Sequence, residues 1–174
     1  MNRNLLAVAL FSLGVLAVLV ALPLAAGQAG WLSGRVPADL GVRDGRLKPP
    51  SVHPNSVSSQ ADLHAGTAAL VEYARIAPLA AGADPAATMA RLQGVVEAIP
   101  GARIVEARPD YLYVRFETRV LRFVDDAEFW ASPAEGVIHL RSASRLGRSD
   151  HGVNRERIER IRAALEASLR AEPV

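Results

Sequence analysis

The sequence predicts an α+β domain, in which an antiparallel sheet of about four strands packs with two helices, behind an N-terminal transmembrane or signal helix. An apolar run opens the chain, helical spacing of apolar residues marks two later segments, and apolar and polar residues alternate between those segments. The 174 residues suffice for one domain with its own core. We predict a membrane anchor or signal segment at residues 1–30, an extended, irregular linker at 31–60 and a single α+β domain at 61–174.

The opening apolar run is long enough to cross a bilayer. Residues 5–24 are apolar apart from Ser12, and at about 1.5 Å per residue they span roughly 30 Å, the thickness of the hydrocarbon core. Arg3 precedes the run, and Trp31 follows it where an interfacial aromatic residue would anchor a retained helix. Small residues at 25–29 also suit a signal peptidase. Both alternatives export the rest of the chain: we expect an anchored domain in the bacterial periplasm or envelope, and a protein secreted after cleavage is the alternative.

Composition excludes several classes of function. The chain has no cysteine, which rules out disulfides, thiolate catalysis and iron–sulfur clusters, and we expect no cofactor. Its net charge is only +2, with 18 acidic residues interspersed, so we expect no nucleic-acid partner. Lys48 is the sole lysine, and clustered arginines can hold phosphate or carboxylate through paired donors. The expected partners are the membrane, through residues 5–24, and a small anionic ligand or a protein.

The elements follow from local signals. Prolines and glycines interrupt residues 34–60, which predicts a tether and an extended segment laid over the domain, with neither strand nor helix. Residues 73–76 suggest a short strand. A helix at 85–99 is favoured because Asp84 suits the N-cap and Pro85 the first helical position.

The remaining elements are strands and one more helix. Alternation predicts strands at 103–108, 111–118, 120–131 and 137–143. The final helix is predicted from about Asn154, a plausible cap, to Arg170.

Alternation also predicts which side chains share a face. If Phe123 and Phe129 point inward, so does Asp125. The favoured register pairs Phe129 with Ile138, which sets Asp126 opposite Arg141 on the outer face and Asp125 opposite Ser142 on the inner one.

A polar cluster between residues 125 and 155 is the predicted site. An inward carboxylate at Asp125 needs a partner, since burying it ionised is costly. Arg145 and Arg155 are the candidate partners. The cluster is interpreted either as a structural latch holding the last helix on the sheet or as a site for an anionic ligand, helped by the helix N-terminus. Its members are Asp125, Asp126, Glu128, Arg141, Ser142, Ser144, Arg145, Asp150, Asn154 and Arg155.

Other chemistries fit less well. An envelope hydrolase would use Asp125 as base, with Arg145 or Arg155 stabilising negative charge. We predict no catalytic residue and no metal site, because alternation separates Asp125 from Asp126 and Glu128 and no calcium-loop spacing is present. The first hypothesis is therefore a non-enzymatic, membrane-tethered module that binds a small anionic ligand, a lipid head group or a partner protein. Tyrosines 111 and 113 are expected on an outer, exposed face.

Ordered blocks between residues 39 and 165 resemble a family of bacterial and plastid proteins, domain-of-unknown-function family 1499. They read LGV at 40–42, PNSVSSQ at 54–60, DDAEF at 125–129, RSASRLG at 141–147 and GVNR at 152–155. The resemblance implies a domain that follows a hydrophobic segment, with no established activity.

The chain departs from that family's pattern at informative positions. Pro50 and Ser56 stand where such proteins often have cysteines, and their joint replacement is what a disulfide pair elsewhere in the family implies. His151 stands where an apolar residue is usual, and Arg148 where an aromatic is common. The departures at positions 148 and 151 argue against a catalytic role for His151.

Overall fold

The computed structural model describes residues 3–171. Met1 and Asn2 of the predicted anchor segment, and residues 172–174 of the predicted domain, lie outside the described residues. The elements in chain order are α1 Arg3–Gln28, β1 Ser56–Ser58, a 3-10 turn Ala61–Leu63, α2 Ala68–Ala74, β2 Leu79–Ala80, α3 Pro85–Glu97, β3 Ala102–Ala107, β4 Tyr111–Glu117, β5 Val124–Ser132, β6 Val137–Ser144 and α4 Val153–Arg170.

The predicted α+β class is confirmed, but the sheet has six strands where about four were expected. Its order is β1-β6-β5-β4-β3, with β2 also beside β6, and all strand pairs are antiparallel. The two additional strands, β1 and β2, are short and lie in segments that contain prolines. Such short strands show little alternation of apolar and polar residues in the sequence. The expectation that 34–60 holds no strand is therefore wrong at Ser56–Ser58.

The predicted strand at 73–76 is also wrong. Residues 68–74 form helix α2, and the Thr67 hydroxyl accepts a hydrogen bond from the Leu70 N–H at 3.4 Å, as an N-cap does. Only Arg75 contributes to the sheet, through an isolated parallel bridge to Ser58. In α3, Asp84 caps the helix as predicted, with its carboxylate accepting from the Ala87 N–H at 3.0 Å.

The predicted β5–β6 register is wrong by two residues, although the faces assigned within β5 and β6 are correct. Phe129 pairs with Leu140, Asp126 with Ala143 and Asp125 with Ser144. The turn decides this: Gly136 has a φ of 66° and donates its N–H to the Ser132 carbonyl at 3.0 Å, which closes a longer loop than the favoured register assumed. Because the shift is even, every side chain keeps its face.

The inner face of the sheet carries the main core. Leu112, Val114, Phe129 and Leu140 pack there, beneath the apolar stripes of α3 and α4. Those stripes are formed by Met89, Leu92, Val96, Ile158, Ile161 and Leu165. The inward position expected of Phe123 is wrong: the residue precedes β5 and is 37 % exposed.

The outer face is covered, which corrects the expected exposure of its tyrosines. Tyr111 and Tyr113 are buried, and they form a second cluster with Leu47 from the segment before β1. That segment turns at Asp44 and Gly45, both with positive φ, and brings its backbone over the sheet. The polar side chains of the outer face are therefore buried beneath this segment and are not exposed to water.

The apolar stretch of helix α1 is exposed, and only the last turn of the helix meets the domain, at Gly27 and Gln28. It is long and apolar enough to cross a membrane, with a mean hydropathy of 2.9 over its best window, and none of that window is buried. A signal sequence near the N-terminus passes the same test.

Candidate functional site

The inward carboxylate has an arginine partner, but neither of those expected. The Arg157 Nη2 donates to Asp125 Oδ2 at 2.6 Å, and both side chains are over nine-tenths buried. The Arg157 guanidinium also lies 4.6 Å from the centre of the Phe116 ring, a cation–π geometry. Arg145 and Arg155 were the predicted partners, and the structure brings neither to Asp125.

Asn154 links this ion pair to the end of the sheet. Its Oδ1 accepts from Ser142 Oγ at 2.5 Å and from Arg157 Nη1 at 2.9 Å. Its Nδ2 donates to Asp150 Oδ2 at 2.8 Å and to Ser144 Oγ at 3.1 Å. Asn154 is fully buried, and it lies just inside α4 and not at the cap, which is Gly152. This amide therefore connects α4 to β6 and to the loop before the helix.

Asp150 anchors the loop that precedes α4. Its carboxylate accepts from the Tyr73 hydroxyl, from the Gly152 N–H at 3.1 Å and from the Asn154 N–H at 2.9 Å. Burial raises the pKa of Asp150, but the hydrogen bonds from Tyr73 and Asn154 outweigh it and hold the pKa below its ordinary value of 3.8. The ionised carboxylate therefore stabilises the fold.

This pKa shift predicts a loss of stability in acid. With the folded pKa below 3.8, the contribution of Asp150 is fully present above that pH and disappears as the pH falls through the folded pKa. Urea titrations should therefore show Asp150→Asn less stable than wild type at pH 7, and the difference in the free energy of unfolding should disappear below pH 3.8. In a Tyr73→Phe background, this difference should disappear at a higher pH. A difference that stays constant in acid contradicts this assignment.

Arg155 lies apart from the Asp125 pair and faces α2. Its Nη2 donates to the backbone carbonyls of Tyr73 at 2.6 Å and Arg75 at 2.9 Å. It thus ties α4 to the end of α2.

The hydrolase hypothesis needs Arg145 or Arg155 beside Asp125, and the structure brings neither arginine to that carboxylate. Asp125 lies on the inner face with Arg157, and Arg155 contacts the end of α2. Arg145 lies with Asp126 on the outer face. Among the described residues, no group of three or more His, Asp or Glu side chains is placed to hold a metal ion.

On the outer face, Arg145 pairs with Asp126 through two hydrogen bonds. Nε donates to Oδ2 at 2.8 Å and Nη2 to Oδ1 at 2.7 Å, a bidentate geometry. The Tyr113 hydroxyl donates to the same carboxylate at 2.6 Å. This pairing with Asp126 raises the pKa of Arg145. The predicted neighbour of Asp126, Arg141, lies instead opposite Glu128.

Glu128 and Arg141 form an incompletely matched buried pair. Glu128 Oε1 accepts from the Gly41 N–H at 2.6 Å and from the Tyr111 hydroxyl at 2.7 Å. Its Oε2 is 4.0 Å from Arg141 Nη1, and neither atom has a hydrogen-bond partner among residues 3–171. Burial raises the pKa of Glu128 and lowers that of Arg141. Two buried polar atoms without partners are unusual enough to require an explanation.

Arg141 lines a cleft between the N-terminal segment and the outer face. The cleft has a volume of about 200 Å³. Its charged lining residues are Arg35, Lys48, Asp126, Arg141 and Arg145. Asp126 is the single carboxylate among them, and Arg145 already neutralises it. Cations therefore predominate in this cleft.

Three residues of these sites were not predicted from the sequence: Arg157, Arg35 and Lys48. Arg157 falls on the buried stripe of α4 with Asn154 and Ile158, and that helical spacing was the available signal. Arg35 and Lys48 gave no local signal, because only the fold of the N-terminal segment brings them to Arg141.

The family described as "Protein of unknown function (DUF1499)" matches residues 46–165 of this chain. The chain therefore belongs to that family, as the resemblance indicated. No curated protein and no solved structure matches it. The family description assigns no activity, so the function has to be inferred from the residues on the two faces of the sheet.

Proposed function

We propose that this member of the family is a membrane-tethered domain, exposed outside the cytoplasm, that binds a small anion in the cleft above the outer face of its sheet. The anion site is thereby placed in the cleft lined by Arg35, Lys48 and Arg141 and no longer around Asp125. Asp125 is given a structural role, because it is paired with Arg157.

One observation carries this proposal: Arg141 Nη1 is buried, lies 4.0 Å from Glu128 Oε2, too far for a hydrogen bond, and has no acceptor among the described residues. A buried donor without a partner costs roughly 1–3 kcal/mol, and more when charged. The Nε of the same guanidinium donates to the Pro49 carbonyl at 3.1 Å, which holds the side chain in place. An anion oxygen entering the cleft would supply the missing acceptor in a charge-assisted hydrogen bond.

The surrounding charges favour phosphate or carboxylate as the ligand class. Arg35 lines the cleft with no ion pair to a described residue, so its planar guanidinium is available for bidentate contact. Lys48 pairs with the exposed Asp39 and is itself partly exposed at the rim of the cleft. We therefore expect a rim of exchangeable cations around one buried donor.

Titration with inorganic phosphate tests the proposal on the full chain in detergent micelles. Arg35→Gln should weaken phosphate binding several-fold without changing the melting temperature, because Arg35 is exposed and forms no ion pair with residues 3–171. Arg141→Gln should weaken it more strongly. The matched control is Arg103→Gln, an exposed arginine of β3 that does not line the cleft.

The titrations distinguish an anion from an ordered water molecule as the partner of Arg141. Saturable phosphate binding that Arg35→Gln weakens and Arg103→Gln leaves unchanged supports the proposal. Absence of saturable binding, or equal binding by all variants, would assign the missing partner of Arg141 to an ordered water and overturn it. Native mass spectrometry of protein purified from membranes then identifies any small molecule that co-purifies with wild type and is lost in Arg141→Gln.

A further inference from the structure

The loop between β4 and β5, residues 118–123, contacts the last turn of α1. Gly27 is the buried residue of that helix, and a Cβ added there would lie 2.6 Å from the Leu121 carbonyl oxygen. The Gln28 side chain donates to the Val120 carbonyl at 3.3 Å. The close approach therefore depends on the missing side chain of Gly27.

This contact sets the level of the loop relative to a bilayer. The apolar run ends at Leu24, and Gly27 follows three residues later, about 4.5 Å further along the helix axis. If α1 spans a bilayer, the loop lies at the boundary between hydrocarbon and head groups.

The loop has the side chains that this boundary selects. Val120 is 57 % exposed and Phe123 37 % exposed, and each follows an arginine, with Arg119 before Val120. Arg122 Nε also donates to Glu117 Oε1 at 2.7 Å, with both side chains partly exposed. Apolar side chains enter the boundary region, and arginines beside them are attracted to anionic lipid head groups. Trp31, which follows α1, is also exposed and suits the same level.

The loop is held in this arrangement by its own backbone. Thr118 closes it at both ends, donating its N–H to the Phe123 carbonyl and accepting the Phe123 N–H on its hydroxyl, both at 2.9 Å. Arg122 has a φ of 55°, a costly conformation for a residue with a side chain. A fixed loop of this kind presents its side chains without an ordering penalty on binding.

We infer that the domain rests on the bilayer through this loop, with Val120 and Phe123 in the boundary region and Arg119 and Arg122 at anionic lipid phosphates. The occupant of this surface is the membrane that holds α1, because the surface continues directly from the end of the helix and carries two arginines against one carboxylate, Glu117. The inference requires a retained α1. It does not depend on the anion cleft, which opens between the N-terminal segment and the sheet.

Spin-label accessibility tests this arrangement in the full chain, which has no cysteine of its own. Val120→Cys and Phe123→Cys are labelled in nanodiscs of phosphatidylcholine and phosphatidylglycerol. We expect both labels to be several-fold less accessible to an aqueous nickel reagent, and more accessible to oxygen, than a label at Ala134→Cys. Ala134 is exposed in the turn beyond β5, at the opposite end of strands about 30 Å long.

A second pair of variants tests the role of charge. Arg119→Gln with Arg122→Gln, in the Val120→Cys background, should raise aqueous accessibility in phosphatidylglycerol nanodiscs and change little in phosphatidylcholine alone. Equal accessibility of the labels at 120, 123 and 134 overturns the inference, and so does a purified protein that lacks α1. Melting curves confirm that each variant is folded, and weaker phosphate binding by Arg35→Gln bears only on the cleft.

Discussion

Asp125→Ala is expected to lower the free energy of unfolding by about 3–5 kcal/mol, because it leaves the buried guanidinium of Arg157 without its anion. The side chains of the pair are less than a tenth exposed, so the unpaired guanidinium would be poorly solvated. For a chain of this size the change corresponds to a fall in melting temperature of order 10 °C. Calorimetry or circular dichroism melting of the full chain measures it.

The matched control is Asp62→Ala. Asp62 also pairs with an arginine, Arg75, but both side chains are about half exposed. Exposed ion pairs contribute little to stability because water screens them, so the melting temperature of this variant should barely change. If both variants melt like wild type, the Asp125–Arg157 pair does not hold α4 on the sheet.

The double replacement Asp125→Leu with Arg157→Met separates lost stability from lost charge balance. A buried ion pair can often be replaced by apolar side chains with little loss of stability. We expect the double variant to be more stable than Asp125→Ala alone. A double variant that unfolds more easily than either single variant contradicts this assignment of the cost to one unpaired charge.

Asn154→Ala is expected to lower the free energy of unfolding by about 2–4 kcal/mol, because it removes a fully buried amide and leaves several of its partners unsatisfied. Ser144 Oγ loses its donor, and Arg157 Nη1 loses the acceptor at 2.9 Å. Chemical denaturation with urea measures the effect. Hydrogen exchange should also show earlier opening at the start of α4 than at its centre.

Gln93→Ala serves as the control for Asn154. Gln93 lies on α3 and donates to Glu97 on an exposed helix surface, at 2.9 Å. Its replacement should change the free energy of unfolding by less than about 0.5 kcal/mol, as is usual for surface positions. Equal effects at positions 93 and 154 would show that burial of the amide does not determine the cost.

Features of the fold that depend on local sequence signals could be predicted, and those that depend on distant contacts or on turn geometry could not. Helix α3 was predicted because its signals are local: Asp84 at the N-cap, Pro85 at the first position and an apolar stripe. The faces of β5 were predicted because strand side chains alternate, whatever the pairing. The register was not predictable, since it depends on the turn geometry at Gly136, and a two-residue shift leaves the pattern of faces unchanged.

The candidate site shows the same division. Asp125 was correctly expected to need an arginine, because an inward carboxylate is costly without one. Which arginine supplies it depends on how α4 crosses the sheet, and the helix places Arg157 at the carboxylate while Arg155 faces α2. The family resemblance was recognisable from the ordered blocks alone, and the match over residues 46–165 confirms it.

The sequence by itself determined the α+β class, the apolar N-terminal helix and the sheet face of each residue in β5 and β6. These properties depend on composition and on the fixed periods of helix and strand. Only the tertiary structure decided that the outer face is buried, with Arg141 beneath the N-terminal segment. Segments far apart in the chain meet there, and contacts between such segments leave no periodic signal in either one.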